Sequence, residues 1–303
     1  KCSLYCLNKF FHFVKILFAG RRLNAAAHVN CIRIYFLNGR FYIVNHQFLK
    51  GFWPGKKGFK LCEKVIEMNP DFCDAYLGLG LFHYLTATLP KVVKVLSFLL
   101  GTPEGDKEKG ISELEFVRDN SKVLNVEARR ILLMVTHREN DWEQFYTGSK
   151  WLAEQYPENI YFQTYYINGL AHNNQLEEAQ NQMKKVNNLL ENDPDKLPVT
   201  IRVQYFAYLG FLNFQLGKYS KSVKFYSDAI TLAEEKKPFE KIYNEDYYYL
   251  ATSYAALLQK EEAFIYLGNA VKNGWDKDEI VNHPEWKPYL NDKEFVKIAG
   301  VEE

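Results

Sequence analysis

Small and large side chains recur at the same relative positions in successive parts of this chain, and this repetition constrains the fold more than any other feature. Two segments show it most clearly, Leu209, Gly210, Ser222, Tyr226 and Ala229 in one and Leu250, Ala251, Ala263, Leu267 and Ala270 in the other. Small residues let two helices approach closely, and large ones fill the remaining space. The spacing therefore predicts antiparallel helix hairpins that pack on one another.

The pattern resembles the tetratricopeptide repeat, a 34-residue pair of antiparallel helices. In that family, repeat positions 8, 20 and 27 are small, and positions 4, 7, 11 and 24 are bulky. Six segments have these residues at position 8: His46, Gly80, Leu133, Ile167, Gly210 and Ala251. The spacings are 34, 53, 34, 43 and 41 residues. Two equal the family period, and the longer ones span predicted loops or inserts such as residues 193–198 and 234–246.

The resemblance implies an all-α fold, a right-handed α-solenoid of about six such hairpins. We expect a basic N-terminal helical segment over residues 1–38, the repeat array over 39–273 and a C-terminal cap over 274–303. Residues 53–58 (Trp-Pro-Gly-Lys-Lys-Gly) are predicted to form the turn between the two helices of the first hairpin. Because the last hairpin of such an array exposes an apolar face, Trp286, Leu290 and Phe295 are expected to cover it.

A helical insert of about residues 86–105 interrupts the second repeat. Within it, residues 91–100 are apolar nearly all round, so a helix there must be covered. It would be about 15 Å long, too short to cross a bilayer. The insert is expected to pack in the groove or against the N-terminal segment, with a membrane- or ligand-contacting lid as the alternative. The stretch 75–91 is similar to bacterial tetratricopeptide proteins and to tetratricopeptide-39 and inclusion-body-clearance proteins, but no function is carried over from them.

Charge is distributed unevenly along the chain. Residues 1–62 contain eleven Lys or Arg and no Asp or Glu, whereas the rest of the chain is acidic. The basic segment could dock on the acidic body, approach an anionic surface, or be a processed piece outside the fold. The first residue is Lys1, which suggests a fragment or a processed product. Five irregularly spaced cysteines favour a reducing, cytoplasmic location over a disulfide-rich one, with membrane association as the alternative.

The chain contains none of the usual catalytic signatures. No H-E-x-x-H, G-x-S-x-G, G-x-G-x-x-G or P-loop motif is present. Cys2 and Cys6 with His12 or His28 could form a metal site, but their spacing fits no zinc pattern well. We therefore expect no enzymatic activity, no cofactor and no metal.

The resemblance also implies where a partner would bind, because the first helix of each hairpin lines the inner groove. The residues expected there are Glu127, Arg130, Met134, His137, Arg138, Tyr161, Thr164, Asn168, His172, Gln204, Phe211, Phe214, Tyr248 and Thr252. Aromatic, amide and basic groups together suit an extended peptide. The clamp with which chaperone-binding relatives hold a C-terminal carboxylate is mostly missing, since Arg130, Met134, Tyr165, Gln204 and Tyr208 stand at its positions.

The predicted function is therefore a scaffold that binds a protein or peptide partner in the groove. A membrane-peripheral adaptor anchored through residues 1–62 and 91–100 is the alternative, and an enzyme or small-ligand binder is the third hypothesis. Nucleic-acid binding is not expected, because the body of the chain is acidic.

Overall fold

A computed structural model describes residues 48–89, 104–235 and 244–300, with side chains from residue 53 onward. The basic segment over 1–38, the marker His46 and the insert helix over 91–100 lie outside the described residues. The division of the chain into a basic N-terminal segment, a repeat array and a C-terminal cap stays a prediction. Within the described ranges the regular structure is entirely helical, and no strand occurs.

Twelve α-helices are described, numbered here in chain order. They are α1 (Phe48–Met68), α2 (Tyr76–Ala87), α3 (Lys107–Asn120), α4 (Asn125–Arg138), α5 (Trp142–Gln155), α6 (Ile160–His172), α7 (Leu176–Leu189), α8 (Val199–Gln215), α9 (Tyr219–Glu235), α10 (Asn244–Ala256), α11 (Lys260–Lys272) and α12 (Lys293–Ala299). Short 3-10 turns lie at Cys73–Ala75, Pro194–Lys196, Lys277–Asn282 and Pro284–Tyr289. The fold is all-α, and neighbouring helices pack in pairs: α2 with α3, α6 with α7, α8 with α9, and α10 with α11.

Four of the turns inside these hairpins have the same geometry. Each begins at a residue in the left-handed conformation, namely Asn140, Asn174, Gly217 or Leu258. These residues lie seven positions after Leu133, Ile167, Gly210 and Ala251. The next amide donates to the carbonyl five residues earlier at 2.8 to 3.0 Å in every case, as from Lys218 to Asn213. This Schellman-type bond satisfies carbonyls at the helix end. The four hairpins from α4 to α11 therefore share the predicted register.

The chain divides into two compact units, Lys1–Ile131 and Leu132–Glu303, and the boundary falls within α4. In the first unit, Phe59, Cys62, Val65, Ala75 and Leu79 form a small core. A buried hydrogen bond joins α2 to α3, with His83 Nδ1 2.6 Å from Glu113 Oε2.

Two glycines allow α2 and α3 to pack closely. A Cβ atom on Gly110 would lie 2.6 Å from the backbone nitrogen of Tyr84 and 2.7 Å from the carbonyl oxygen of Gly80. Because both neighbours are backbone atoms, no side-chain adjustment could make room. Gly110 therefore takes the small-residue site of the second helix, although the insert separates it from Gly80 by 30 residues.

The prediction of a turn over residues 53–58 is wrong. Helix α1 continues through Pro54, from Phe48 to Met68. Proline lacks the amide hydrogen that would bond the fourth carbonyl before it, so one bond of the helix is missing there. Gly58 and Phe59, which follow, are already buried. Contacts of the following residues with α2, such as the Phe59 ring 4.2 Å from the Phe82 ring, hold the helix in this unit.

In the second unit, small and large residues face each other across each pair, but not always in the family's order. Gly210 of α8 lies against the ring of Tyr226 in α9, as the pattern predicts. In the α4–α5 pair the sizes are exchanged, since Leu133 occupies the small-residue position and packs against Gly148. Buried Ser222 donates to the carbonyl of Gly210 at 2.9 Å and accepts from Ser253 of α10 at 2.9 Å. The α8–α9 hairpin therefore also contacts the α10–α11 hairpin.

The C-terminal residues cover the last hairpin with a second core. Trp286, Tyr289, Phe295 and Ile280 are buried there against α10 and α11. The expectation holds for Trp286 and Phe295 but is wrong for Leu290, which is 38% exposed. Tyr289, the preceding residue, points inward instead, because the 3-10 turn over Pro284–Tyr289 sets the direction of these side chains.

Candidate functional site

The residues predicted to line a groove fall into three groups. Met134 and Arg138 are exposed, and six others are buried. The buried residues are Thr164, Asn168, Phe211, Phe214, Tyr248 and Thr252. The remaining six are partly buried: Glu127, Arg130, His137, Tyr161, His172 and Gln204.

Two predicted groove residues belong to the first unit and twelve to the second. Glu127 and Arg130 pair with each other on α4, with Arg130 Nε donating to Glu127 Oε2 at 2.9 Å. The other twelve are on α4 from Leu132 onward, α6, α8 and α10. The candidate site described below lies wholly in the second unit.

Helix α6 presents a continuous stripe made of Tyr161, Tyr165, Asn168 and His172. These residues are spaced four, three and four apart, so they share one face of the helix. Asn159 caps the helix by accepting from the amide of Phe162, which fixes where the stripe begins. The hydroxyls of Tyr161 and Tyr165 hydrogen-bond to each other at 2.8 Å. Gln204, Tyr208 and Phe211 form a matching stripe on α8, and the rings of Tyr165 and Tyr208 lie 6.0 Å apart.

At the other end of the stripe, three flat rings form a stack. The His172 ring lies between Trp142, with ring centroids 3.4 Å apart, and Phe211, with centroids 3.9 Å apart. The ring planes differ by 5° and 17°. Tyr249 of α10 continues the series, with its centroid 4.8 Å from that of Phe211. Three hairpins are thereby joined through their first helices, and Trp142 adds the preceding hairpin through its second helix, α5. We call these rings, the stripes on α6 and α8, and the adjoining His137 and Glu245 the aromatic array.

The acid–base groups buried in the aromatic array are held neutral at pH 7. Burial, together with a smaller effect of nearby His137, lowers the pKa of His172 to about 2. Burial also lowers the pKa of His137, to about 4. Burial raises the pKa of Glu245 to about 8, with the charges of Asp246 and Glu279 acting in the same direction. His172 Nε2 and Glu245 Oε1 are 3.5 Å apart, so their contact at pH 7 joins two neutral groups rather than an ion pair.

Asn168 stands out in the array because its amide is buried and unpaired. The residue is 2% exposed, and its Nδ2 has no hydrogen-bond acceptor among the described residues. Asn213 on α8 shows the usual arrangement, since its buried Nδ2 donates to the carbonyl of Leu209 at 2.8 Å. A buried donor without a partner costs about 1–3 kcal/mol. The Asn168 amide is therefore a place where an acceptor from another molecule would be stabilising.

The predicted residues nearest the cap have internal contacts. The Tyr248 ring stacks on Trp275, with centroids 4.2 Å apart, and Thr252 donates to the carbonyl of Tyr248 at 2.9 Å. Phe214 packs against Tyr249, with centroids 5.0 Å apart. In this conformation Phe214, Tyr248 and Thr252 support the array from within and do not present a surface to a partner.

Sequence reasoning missed three members of the array, Trp142, Glu245 and Tyr249. Trp142 begins α5, the second helix of its hairpin, and so lies outside the positions that the family uses for its groove. Glu245, in the first turn of α10, stands at the same repeat position as Glu127, Tyr161 and Gln204 and was overlooked. Tyr249 is one residue beyond a predicted position, Tyr248. The available signal was the recurrence of aromatic residues at the ends of successive hairpins.

The described residues contain no cluster suited to metal binding, and a buried cysteine among them is unreactive. Across the described ranges, no group of three or more His, Cys, Asp or Glu side chains could hold a metal ion. Burial raises the pKa of Cys62 to about 12, with the charges of Glu63 and Glu113 adding to the effect, so its thiol is inert. Among the described helices, none has the length and apolar character needed to cross a bilayer.

Comparison with known proteins yields a structural likeness only. No family model matches the chain. No curated protein matches it at the significance required. Among solved structures, the chain is similar to the crystal structure of yeast Tom70, with 10% sequence identity and a TM-score of 0.45. The match covers 91% of this chain and 57% of the Tom70 chain, so this chain spans little more than half the length of that structure.

Proposed function

We propose that this chain is a non-catalytic protein-interaction scaffold of the tetratricopeptide type. In this proposal, an extended segment of a partner lies along the α6 and α8 stripes of the second unit. Tyr161, Tyr165 and Gln204 are partly exposed members of those stripes that do not lie between stacked rings, so they would make the first contacts. Met134, which is 46% exposed, is a further candidate from the predicted groove.

The single observation that carries the proposal is the unpaired amide of Asn168. The main chain of an extended peptide has one carbonyl acceptor per residue. Such a carbonyl would pair with Nδ2 and remove the cost of leaving this donor buried without an acceptor. The neighbouring tyrosine rings offer large contact areas at a small cost in side-chain entropy, as is common in protein interfaces.

The test is to select binders from a displayed library of random linear peptides and to measure their affinity for Asn168→Ala. We expect a two- to ten-fold weaker Kd, about the net value of one hydrogen bond. The matched control is Asn213→Ala, which removes an amide already satisfied within α8. We expect this control to lower the free energy of unfolding by about 1 kcal/mol and to leave affinity unchanged. Equal peptide binding by wild type and Asn168→Ala would show that the site is misplaced.

The membrane-peripheral alternative stays a prediction. Its anchors, residues 1–62 and 91–100, lie mostly outside the described residues. Flotation with liposomes, compared between the full chain and a chain lacking residues 1–62, tests it directly. Equal flotation, or none, would eliminate an anchor in that segment. The expected locations, cytoplasmic or membrane-associated, also stay predictions.

A further inference from the structure

We propose, building on the function proposed above, that the bound segment is uncharged where it contacts α6 and α8. It is an extended peptide that places an aromatic or large apolar side chain against Tyr161 and Tyr165 and a main-chain carbonyl on the Asn168 amide. Acidic and basic side chains are excluded from this stretch of the partner. The inference follows from how charge is divided between the two helices of each of the last three hairpins.

The first helices of the last three hairpins are almost free of charged residues. Helix α6 contains no Asp, Glu, Lys or Arg, and α8 contains only Arg202. Arg202 forms an ion pair with Asp195, so its charge is already compensated. Helix α10 has only Glu245 and Asp246, both in its first turn. The second helices, α7, α9 and α11, each carry both acidic and basic residues. The stripes on α6 and α8 therefore lie on helices that carry almost no charge.

The titratable groups within the array are also uncharged near pH 7. His137 and His172 are held in their neutral form by burial, and Glu245 keeps its proton. A ligand carboxylate or ammonium group buried against the α6 and α8 stripes would lose its hydration, and neither helix offers it an uncompensated opposite charge. Such burial is strongly unfavourable unless the charge is paired.

The polar groups of the stripe also match a neutral ligand. The hydroxyls of Tyr161 and Tyr165 are occupied with each other at 2.8 Å, so their rings rather than their hydroxyls are offered to a partner. Aromatic side chains pair favourably with such rings by offset or edge-to-face contact. Asn168 Nδ2 is a neutral donor in need of one acceptor. A main-chain carbonyl supplies this acceptor without bringing a charge.

The test uses short peptides with acetylated N-termini and amidated C-termini, so that only the side chains can carry charge. Four pools of otherwise random sequence have Phe, Leu, Asp or Lys fixed at the central position, with Asp, Glu, Lys and Arg omitted elsewhere. Binding to the full chain is measured by fluorescence anisotropy at pH 7. We expect the Kd of the Phe and Leu pools to be lower than that of the Asp and Lys pools by roughly ten-fold or more.

Two substitutions at Tyr161 test the role assigned to its ring. Tyr161→Phe keeps the ring and removes the hydroxyl, and we expect its affinity for the Phe pool to stay within about two-fold of wild type. Tyr161→Ser removes the ring and should weaken binding by about two- to ten-fold. Circular dichroism of both variants checks that they remain folded. If Tyr161→Phe weakens peptide binding as much as Tyr161→Ser does, the peptide contacts the hydroxyl of Tyr161. That result would overturn the proposed contact with its ring.

The outcomes separate this inference from the proposed function. If the Asp or Lys pool binds as tightly as the Phe pool, and Asn168→Ala still weakens binding, the ligand class is wrong and the scaffold function stands. If Asn168→Ala binds every pool as wild type does, the proposed site is wrong. If no pool binds to wild type, both proposals fail.

Discussion

The close contact between α2 and α3 makes Gly110→Ala the most informative single substitution for the fold. A methyl group at Gly110 would lie 2.6 Å from the Tyr84 backbone nitrogen and 2.7 Å from the Gly80 carbonyl oxygen. Both distances are far below van der Waals contact, and neither neighbour can change rotamer. The two helices must therefore move apart, which loosens the contacts of Tyr84 and Leu114, both fully buried.

The magnitude follows from two opposing effects. Overpacking a core by one methyl group costs about 1–3 kcal/mol, and the backbone location of the clash favours the upper part of this range. Alanine gains about 1 kcal/mol over glycine in a helix interior. We therefore expect Gly110→Ala to lower the free energy of unfolding by about 1–2 kcal/mol.

Gly268 provides the matched control, since it also lies inside a helix, α11. A Cβ atom there would meet no atom within 4 Å. Only the helix-propensity gain remains, so Gly268→Ala should raise the free energy of unfolding by up to about 1 kcal/mol. The two identical chemical changes are therefore expected to have opposite signs.

The assay is urea unfolding followed by far-ultraviolet circular dichroism, with the slopes compared to detect changes in the unfolded state. Hydrogen exchange of amides in α2 and α3, and separately in α10 and α11, assigns each change to its own unit. A Gly110→Ala protein as stable as wild type, with α2 and α3 protected as before, would refute the close helix packing described here.

Three further predictions concern the hairpin turns and the aromatic array. Leu258 is in the left-handed conformation and 71% exposed. Leu258→Gly should therefore raise the free energy of unfolding, measured in urea, by about 1 kcal/mol. A decrease would contradict the turn geometry. Asp141 caps α5 by accepting from the amide of Gln144 at 3.1 Å. Asp141→Ala should lower the free energy of unfolding by about 1 kcal/mol, and Asp141→Ser should lower it much less, because serine can also cap the helix. Equal decreases would show that the charge of Asp141 matters and not its capping bond. Glu245 has a folded-state pKa of about 8, above its usual 4.5, so it holds a proton that the unfolded chain releases and its contribution to stability falls as pH rises. Between pH 7 and 8 the free energy of unfolding should fall by about 1 kcal/mol in wild type but not in Glu245→Gln, and parallel pH profiles would exclude a protonated Glu245. Below pH 6.5 the opposite dependence is expected from His172, whose lowered pKa means that only the unfolded chain takes up a proton.

Much of the hairpin register could be predicted because it depends on local spacing. Gly80, Gly210 and Ala251 occupy small-residue positions that any close helix pair requires. The turn residues follow from the same register, since Asn140, Asn174 and Gly217 are the residue types that tolerate a left-handed backbone. Leu258 has the same conformation without the suitable residue type, so the turn there is imposed by the two helices it joins.

The failed and missed expectations share a different origin. Helix α1 continues through Pro54, although proline is a helix breaker by local rules. Leu290 and its neighbour Tyr289 are equally plausible cap residues by composition, yet the 3-10 turn directs only Tyr289 inward. In both cases the orientation of a short segment depends on the surface against which it packs.

The candidate site shows the same division. Local spacing indicates that helices pair in a repeated register and that Tyr161, Asn168, His172 and Phe211 stand on the first helices of their hairpins. It does not indicate that His172 lies between Trp142 and Phe211, that Glu245 keeps its proton or that the Asn168 amide has no acceptor among the described residues. Spacing along a helix sets the face on which a side chain lies. Ring stacking, burial and hydrogen-bond partners depend on residues 30 to 73 positions apart, and these meet only when the hairpins pack.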